Sequence, residues 1–239
     1  MTAAHRKHIL ITGATSGIGL ILSGHLARRH DLILVGRRPH EEVEALLPAG
    51  CPYIEADQTV PQEAVRQIAD GLLRLGRVRL DHAVLNAGIG FAAQYLTEPP
   101  AQIRQTLDVN LTALILTARV LYPWLEKAAG TLTLIGSVAR HGAEPFPAYA
   151  ASKAGLDGFG RSLQAEWRGR VTVQVLHPGP TRTGMQRKAG FDPGHMERLF
   201  IPTKAMARMV EAAMASPRPM RTLSFGRYLS GGAMFARRL

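Results

Sequence analysis

The stretch Thr12-Gly13-Ala14-Thr15-Ser16-Gly17-Ile18-Gly19 joins an apolar run, His8-Ile9-Leu10-Ile11, to an apolar-periodic one with Leu20, Ile21, Leu22 and Leu26. The first run reads as a buried strand and the second as a helix. A strand, a glycine turn and a helix in direct succession fit the opening βαβ unit of a helix-covered parallel sheet. Glycines there permit a tight turn and close backbone approach. The helix adds unpaired N–H groups and the positive end of its dipole, which suit a pyrophosphate. The spacing is Gly-x-x-x-Gly-x-Gly, not the commoner Gly-x-Gly-x-x-Gly. The flanking strand and helix are what give it meaning.

The rest of the chain continues the alternation. Strands are expected at 31–36, near Tyr53-Ile54, at 80–85, 131–135 and 171–176, with a last one near 222–225. Helices are expected near 41–47, at 62–75, from about 101 to 128, and from Tyr149 to about Arg168. No composition break or repeat divides the chain, so the expectation is one doubly wound α/β domain over residues 1–239 with a mainly parallel sheet. Candidate residues repeatedly fall at strand C-terminal ends, where open α/β sheets bind ligands. After the second strand stands Gly36-Arg37-Arg38, with no acid before Glu41. An acid there would bind ribose hydroxyls, whereas two guanidiniums clamp a 2′-phosphate. Arg37 and Arg38 therefore favour NADP(H), with NAD(H) still open.

Tyr149-Ala150-Ala151-Ser152-Lys153 sets a phenol and an ammonium one helical turn apart on one face. A free tyrosine titrates near ~10, so it exchanges protons readily at neutral pH only where something stabilises the phenolate. A fixed cation one turn away is the simplest such device. The spacing is common by chance, and its meaning depends on whether the chain builds a cleft around it.

Taken together, Thr12 to Gly19, Asn86-Ala87-Gly88, Asn110, Ser137, Tyr149, Lys153 and Pro178-Gly179 resemble the short-chain dehydrogenase/reductase family, in its short single-domain branch. The match runs in order over roughly residues 8 to 185. The resemblance implies a Rossmann three-layer fold with a seven-stranded, mainly parallel sheet, and NAD(P)-linked interconversion of a carbonyl and an alcohol. By the same resemblance, Tyr149 is the general acid in reduction and the base in oxidation. Lys153 holds the cofactor's ribose hydroxyls and lowers the tyrosine pKa. Ser137 bonds the substrate oxygen, and Asn110 supports a water that links Lys153 to solvent. Gly13, Gly17 and Gly19 bound the phosphate turn, which also contains Thr15 and Ser16, and the Ile18 backbone lies near the pyrophosphate. Asp57 contacts the adenine; Asn86, with Ala87 and Gly88, lines the cofactor groove. Thr183, in a segment with Pro178, Gly179 and Thr181, contacts the nicotinamide amide. A homodimer or homotetramer is implied as well. Gly136-Ser137 departs from the paired serines of many relatives, and their common Asp-Gly-Gly ending is missing.

Composition sets further bounds. One cysteine, Cys51, excludes an intrachain disulfide and a cysteine metal cage. The nine histidines lack metal-ligand spacing, so no metal is expected. His177, before Pro178 at a strand end, reads as structural. No stretch approaches the ~20 apolar residues of a membrane span, and the expectation is a cytoplasmic protein. The net charge of +11 is concentrated from Arg198 onward, where eight Lys/Arg face the single acid Glu211. Anionic substrates, an anionic lipid surface, nucleic acid or simple solubility all suit such a balance.

Two segments stay open. The loop at about 184–202 follows the sixth strand and carries Met185, Phe191, Met196, Leu199 and Phe200, opposite Phe146 and Pro147. It either lines an apolar carbonyl pocket or packs on itself. The basic tail at about 227–239 either docks on protein, a second subunit included, lies on anionic lipid, or frays. Three function classes compete: an NADPH-dependent ketone or aldehyde reductase, a cofactor-binding regulatory protein without turnover, and a nucleic-acid binder. The joint presence of Ser137, Tyr149 and Lys153 favours the first, since a binding module has no need of all three. Nucleic acid lacks a recognised motif here.

Overall fold

A computed structural model of the chain describes residues 6–94, 96–216 and 218–229. The first half contains β1 (His8–Thr12), α1 (Gly17–Leu26), β2 (Asp31–Gly36), α2 (His40–Val43), β3 (Tyr53–Glu55), α3 (Pro61–Arg74) and β4 (His82–Leu85). Next come α4 (Pro100–Leu107), a π-helical turn (Asp108–Thr112), α5 (Ala113–Glu126), β5 (Thr131–Ile135) and α6 (Pro147–Glu166). The remainder holds β6 (Thr172–Pro178), β7 (Thr181–Arg182), α7 (Met185–Lys188), β8 (Ile201–Pro202), α8 (Thr203–Met214) and β9 (Met220–Leu223).

Seven strands form one sheet in the order β3-β2-β1-β4-β5-β6-β9, and every pairing is parallel. Both faces are covered, so β1 and β2 are continuous apolar runs, while β5 and β6 set the buried Thr133 and Gln174 among their apolar residues. Leu10, Ile33, Val35, Ala83, Leu85, Leu132, Leu134, Val173 and Val175 point to one core with α3, α5 and α6. Ile9, Ile11, Leu32, Leu34, Val84 and Leu176 point to the other, with α1 and α8. This is the doubly wound Rossmann arrangement. The chain winds outward from β1 in one direction and from β4 in the other, so the crevice between their carboxyl ends is the switch point.

Some boundaries differ from the sequence expectation. Strand β6 runs two residues further, to Pro178, because His177 and Pro178 pair with Thr222 and Leu223 of β9. That edge strand itself begins at Met220, two residues early. The helix expected from about 101 to 128 is broken by the π turn at Asp108–Thr112. There Asn110 Oδ1 accepts from the Ile89 N–H at 2.8 Å, and its Nδ2 donates to the Ile89 carbonyl at 2.8 Å. Such bulges recur at functional sites. Of the basic tail, residues 230–239 lie outside the described residues. At its start, Tyr228 packs with Phe225, ring centroids 5.9 Å apart, against the second core. Among the described residues no helix is long and apolar enough to cross a membrane, and no group of His, Cys, Asp or Glu suits a metal.

A polar ladder crosses three strands on the side of the second core. His82 Nε2 lies 2.7 Å from Thr133 Oγ1, which donates to Gln174 Oε1 at 3.1 Å; Gln174 Nε2 in turn donates to the Ser216 carbonyl. Burial pushes the His82 pKa down from 6.5 to about 3. Between those values the unfolded chain binds a proton that the folded imidazole refuses, so folding stability rises with pH and is lost on acidification. From pH 7.5 to pH 5, His82 is expected to remove about 2 kcal/mol of stability. Urea unfolding at both pH values checks this, with His82→Gln as the control. An equal pH dependence in the variant would refute it.

Candidate active site

The glycine turn lies against the end of β4. The Asn86 and Ala87 N–H groups donate to Thr12 Oγ1 at 3.0 and 3.1 Å, and Asn86 Nδ2 donates to the Thr12 carbonyl at 3.1 Å. Gly13 has φ +65°, and a Cβ there would sit 2.8 Å from the Ala87 Cα. Only glycine meets both conditions without moving the backbone. Ser16 is the N-cap of α1 but makes no side-chain cap bond. The first-turn N–H groups, Gly17, Ile18 and Gly19 among them, therefore have no capping side chain and are available to an anion. A Cβ on Gly17 would lie 3.7 Å from Thr183 Cγ2, which brings the far segment to the same turn.

The two arginines after β2 do different things. Arg37 is exposed. Arg38 is partly buried, and its Nη2 donates to the Thr15 carbonyl at 2.8 Å, bracing the glycine turn. The Arg38 carbonyl accepts from the Tyr53 hydroxyl at 2.8 Å, and the His40 ring stacks on Tyr53 with centroids 5.6 Å apart. Burial pushes the Tyr53 phenol up to about 12, so it remains a donor. Nothing in the sequence marks Tyr53 and His40 as site residues, because no local pattern ties Tyr53 to a loop fifteen residues earlier. Asp57 stands exposed beyond β3, and its Oδ1 accepts from the Thr59 N–H at 3.0 Å. That carboxylate shapes its own turn.

The candidate reactive groups meet on the other side of the switch point. Helix α6 starts with Pro147 at its first turn, where a missing N–H costs nothing, and continues through alanines. Ser137 follows β5, and its Oγ accepts from the Ala139 N–H at 3.1 Å. Lys153 Nζ lies 5.6 Å from the Tyr149 ring centroid and donates to the Ile135 carbonyl at 3.0 Å. Asn110 is fully buried and donates to Ser152 Oγ at 3.1 Å. A Cβ on Gly88 would be 3.3 Å from Asn110 Oδ1 and 3.6 Å from Lys153 Nζ, so the loop after β4 touches both.

Burial pushes the Tyr149 phenol up, and the Ser137 hydrogen bond opposes that. Lys153 has its own pKa pushed down to about 8 by burial. Lys153 Nζ donates to the Ile135 carbonyl while staying one helical turn from the phenol.

Loops from several strand ends close over this corner. The Ala92 N–H donates to the Ala189 carbonyl at 2.8 Å, and the Ala93 N–H to the Pro145 carbonyl at 2.9 Å. Phe146 meets Tyr149 and Phe191 edge to face, with centroids 6.3 and 5.4 Å apart. Met196 and Leu199 are exposed, so only part of the loop packs inward. Beyond β6, the Gly179 N–H donates to the Leu223 carbonyl at 2.9 Å, which anchors the segment after Pro178 to the edge strand. Thr181 Oγ1 donates to the Gly179 carbonyl at 2.8 Å, and the Thr183 N–H to the Thr181 carbonyl at 2.7 Å. Pairing of Thr181 and Arg182 with Ile201 and Pro202 closes the base of the loop.

Known proteins resemble this chain in sequence and fold. The sequence signature of short chain dehydrogenases matches residues 7–193. The uncharacterized oxidoreductase YbbO of Escherichia coli is 31% identical over 225 residues, which span 90% of this chain and 83% of that protein. The 11-beta-hydroxysteroid dehydrogenase 1A of Arabidopsis thaliana is 34% identical over 182 residues, spanning 72% of this chain and 52% of that one. Among solved structures, a short-chain dehydrogenase from Sphingobium yanoikuyae in complex with NADPH superposes with a TM-score of 0.79 at 25% identity, covering 97% of this chain and 95% of that one. With the signature spanning most of its length, this chain belongs to the short chain dehydrogenase family of oxidoreductases.

Proposed function

We propose that the protein interconverts a carbonyl compound and its alcohol with NADP(H), acting chiefly as a reductase of an apolar ketone or aldehyde. The observation that carries this reading is the gathering of three groups at one strand end: the buried Ser137 after β5, the Tyr149 phenol, and the buried Lys153, whose Nζ lies 5.6 Å from the tyrosine ring centroid. When bound, NADP(H) would supply or accept the hydride. The chain has groups that fit it: uncapped N–H groups at the start of α1 for the pyrophosphate, and the exposed Arg37 for the 2′-phosphate. The NADPH complex of the Sphingobium yanoikuyae protein supports this cofactor.

In reduction, Ser137 and Tyr149 both aim a hydrogen-bond donor at the substrate oxygen, stabilising the negative charge that develops there. Tyr149 then gives its proton to that oxygen as general acid, and in oxidation takes it back. The ammonium of Lys153, one turn away, favours the phenolate left behind. Asn110, fixed to the Ile89 peptide and to Ser152, holds the loop after β4 against α6 so that these groups keep their places. Phe146 and Phe191 would shelter an apolar substrate, in keeping with the hydroxysteroid named for the Arabidopsis relative. A screen of ketones and aldehydes that follows NADPH absorbance, with NADH in parallel, tests the reading. Turnover with NADH but not NADPH would overturn the cofactor assignment, and no turnover with any carbonyl would overturn the rest.

The pH profile offers a second check. A lysine lowered to about 8 is charged below that value and neutral above it. The kcat/KM for NADPH, which reports groups of the free enzyme, is therefore expected to fall as pH rises through about 8. A flat profile across that value would contradict a role for the charge.

A further inference from the structure

His177 sits at the end of β6 with no exposure at all. Its ring lies so close to Gly136 that a Cβ at 136 would be 2.5 Å from Nδ1 and 2.8 Å from Cε1. The imidazole thus occupies the space that a side chain just before Ser137 would need. Its Nε2 lies 3.0 Å from Asp157 Oδ1, a packing contact outside hydrogen-bond alignment. Asp157 follows Tyr149 and Lys153 at four-residue steps, so all three share one face of α6. The same carboxylate faces Arg140 Nη1 at 3.4 Å and Arg161 Nε at 3.2 Å. Arg140 belongs to the 3-10 turn Val138–His141, whose Ala139 N–H donates to Ser137 Oγ. The contacts close a circuit: Ser137, its turn, Arg140, Asp157, His177, Gly136, and back to Ser137.

We propose that His177 is a positioning residue for Ser137, acting as a wedge against Gly136 and, through Asp157 and Arg140, fixing the serine turn relative to the Tyr149–Lys153 face of α6. The glycine at 136 and the histidine at 177 are then one steric unit, and the glycine cannot gain a side chain without moving the serine or the ring. This inference rests on the reading of Ser137 as a donor to the substrate oxygen. Misplacement of a reacting group by about 1 Å can cost on the order of 10²-fold in rate, so small shifts of this circuit would be visible.

The test is a set of full-length variants measured for kcat and for NADPH Kd by fluorescence titration, which also counts the folded, cofactor-competent fraction. Gly136→Ser is expected to lower kcat per competent site roughly tenfold or more, with Kd little changed. Gly136→Ser combined with His177→Ala should recover to within about threefold of His177→Ala alone, because the ring that clashes is gone. Asp157→Asn, which opens no cavity, should lower kcat roughly three- to tenfold at constant Kd, and it tests the circuit even where the histidine variants do not fold. The proposal is overturned if Gly136→Ser matches the wild type, if the double variant is no better than Gly136→Ser, or if Asp157→Asn leaves kcat unchanged. Ser137→Ala separates the two levels. Full activity there would sink the functional reading itself, whereas loss of activity there with unaffected circuit variants would sink only the positioning role.

Discussion

Tyr149→Phe is expected to lower kcat by about 10³-fold or more while leaving NADPH affinity within about twofold, since positioned general acids contribute typically ~10²–10⁴-fold. Phenylalanine keeps the ring, and with it the edge contact to Phe146 and the packing against Gly90, whose Cβ position lies 3.2 Å from Tyr149 Cδ2. The fold should therefore be intact, and only the proton is removed. Single-turnover absorbance with saturating NADPH measures the loss, and fluorescence titration measures the affinity. Near-wild-type turnover would show that another group delivers the proton.

The second large effect separates the two arginines. Arg37→Ala is expected to lower kcat/KM for NADPH by roughly 10- to 100-fold and to leave NADH use unchanged, since a hydrogen bond to a charged group is worth about 1.5–3 kcal/mol. Arg38→Ala should weaken both cofactors, because its guanidinium donates to the Thr15 carbonyl and so holds the turn that both dinucleotides would share. Initial rates with each cofactor, for each variant, decide the matter. If Arg38→Ala harmed NADPH alone, the bond to Thr15 would be incidental. If Arg37→Ala changed neither cofactor, the 2′-phosphate would be bound elsewhere.

Much of this architecture was legible in the sequence because it depends on local pattern. The apolar runs at 9–11 and 32–35 fit a sheet covered by helices on both faces, and the glycine turn after the first of them marks the switch point. Tyr149 and Lys153 are related by helical period alone. Residues that act through long-range contact were hidden. Tyr53 reaches the Arg38 carbonyl, and His82 joins a ladder over three strands. None of these pairings leaves a periodic trace.

The sequence by itself determined the sheet, the order of the site segments along it, and the helix that sets phenol and ammonium on one face, because hydrophobic period and turn chemistry act between near neighbours. Only the tertiary structure decided that Arg37 and Arg38 differ in burial and partners, that Lys153 is aimed at the Ile135 carbonyl, and that the glycine at 136 admits His177. Those outcomes depend on which distant side chains compete for one buried space, and close packing settles that only once the sheet has brought them together.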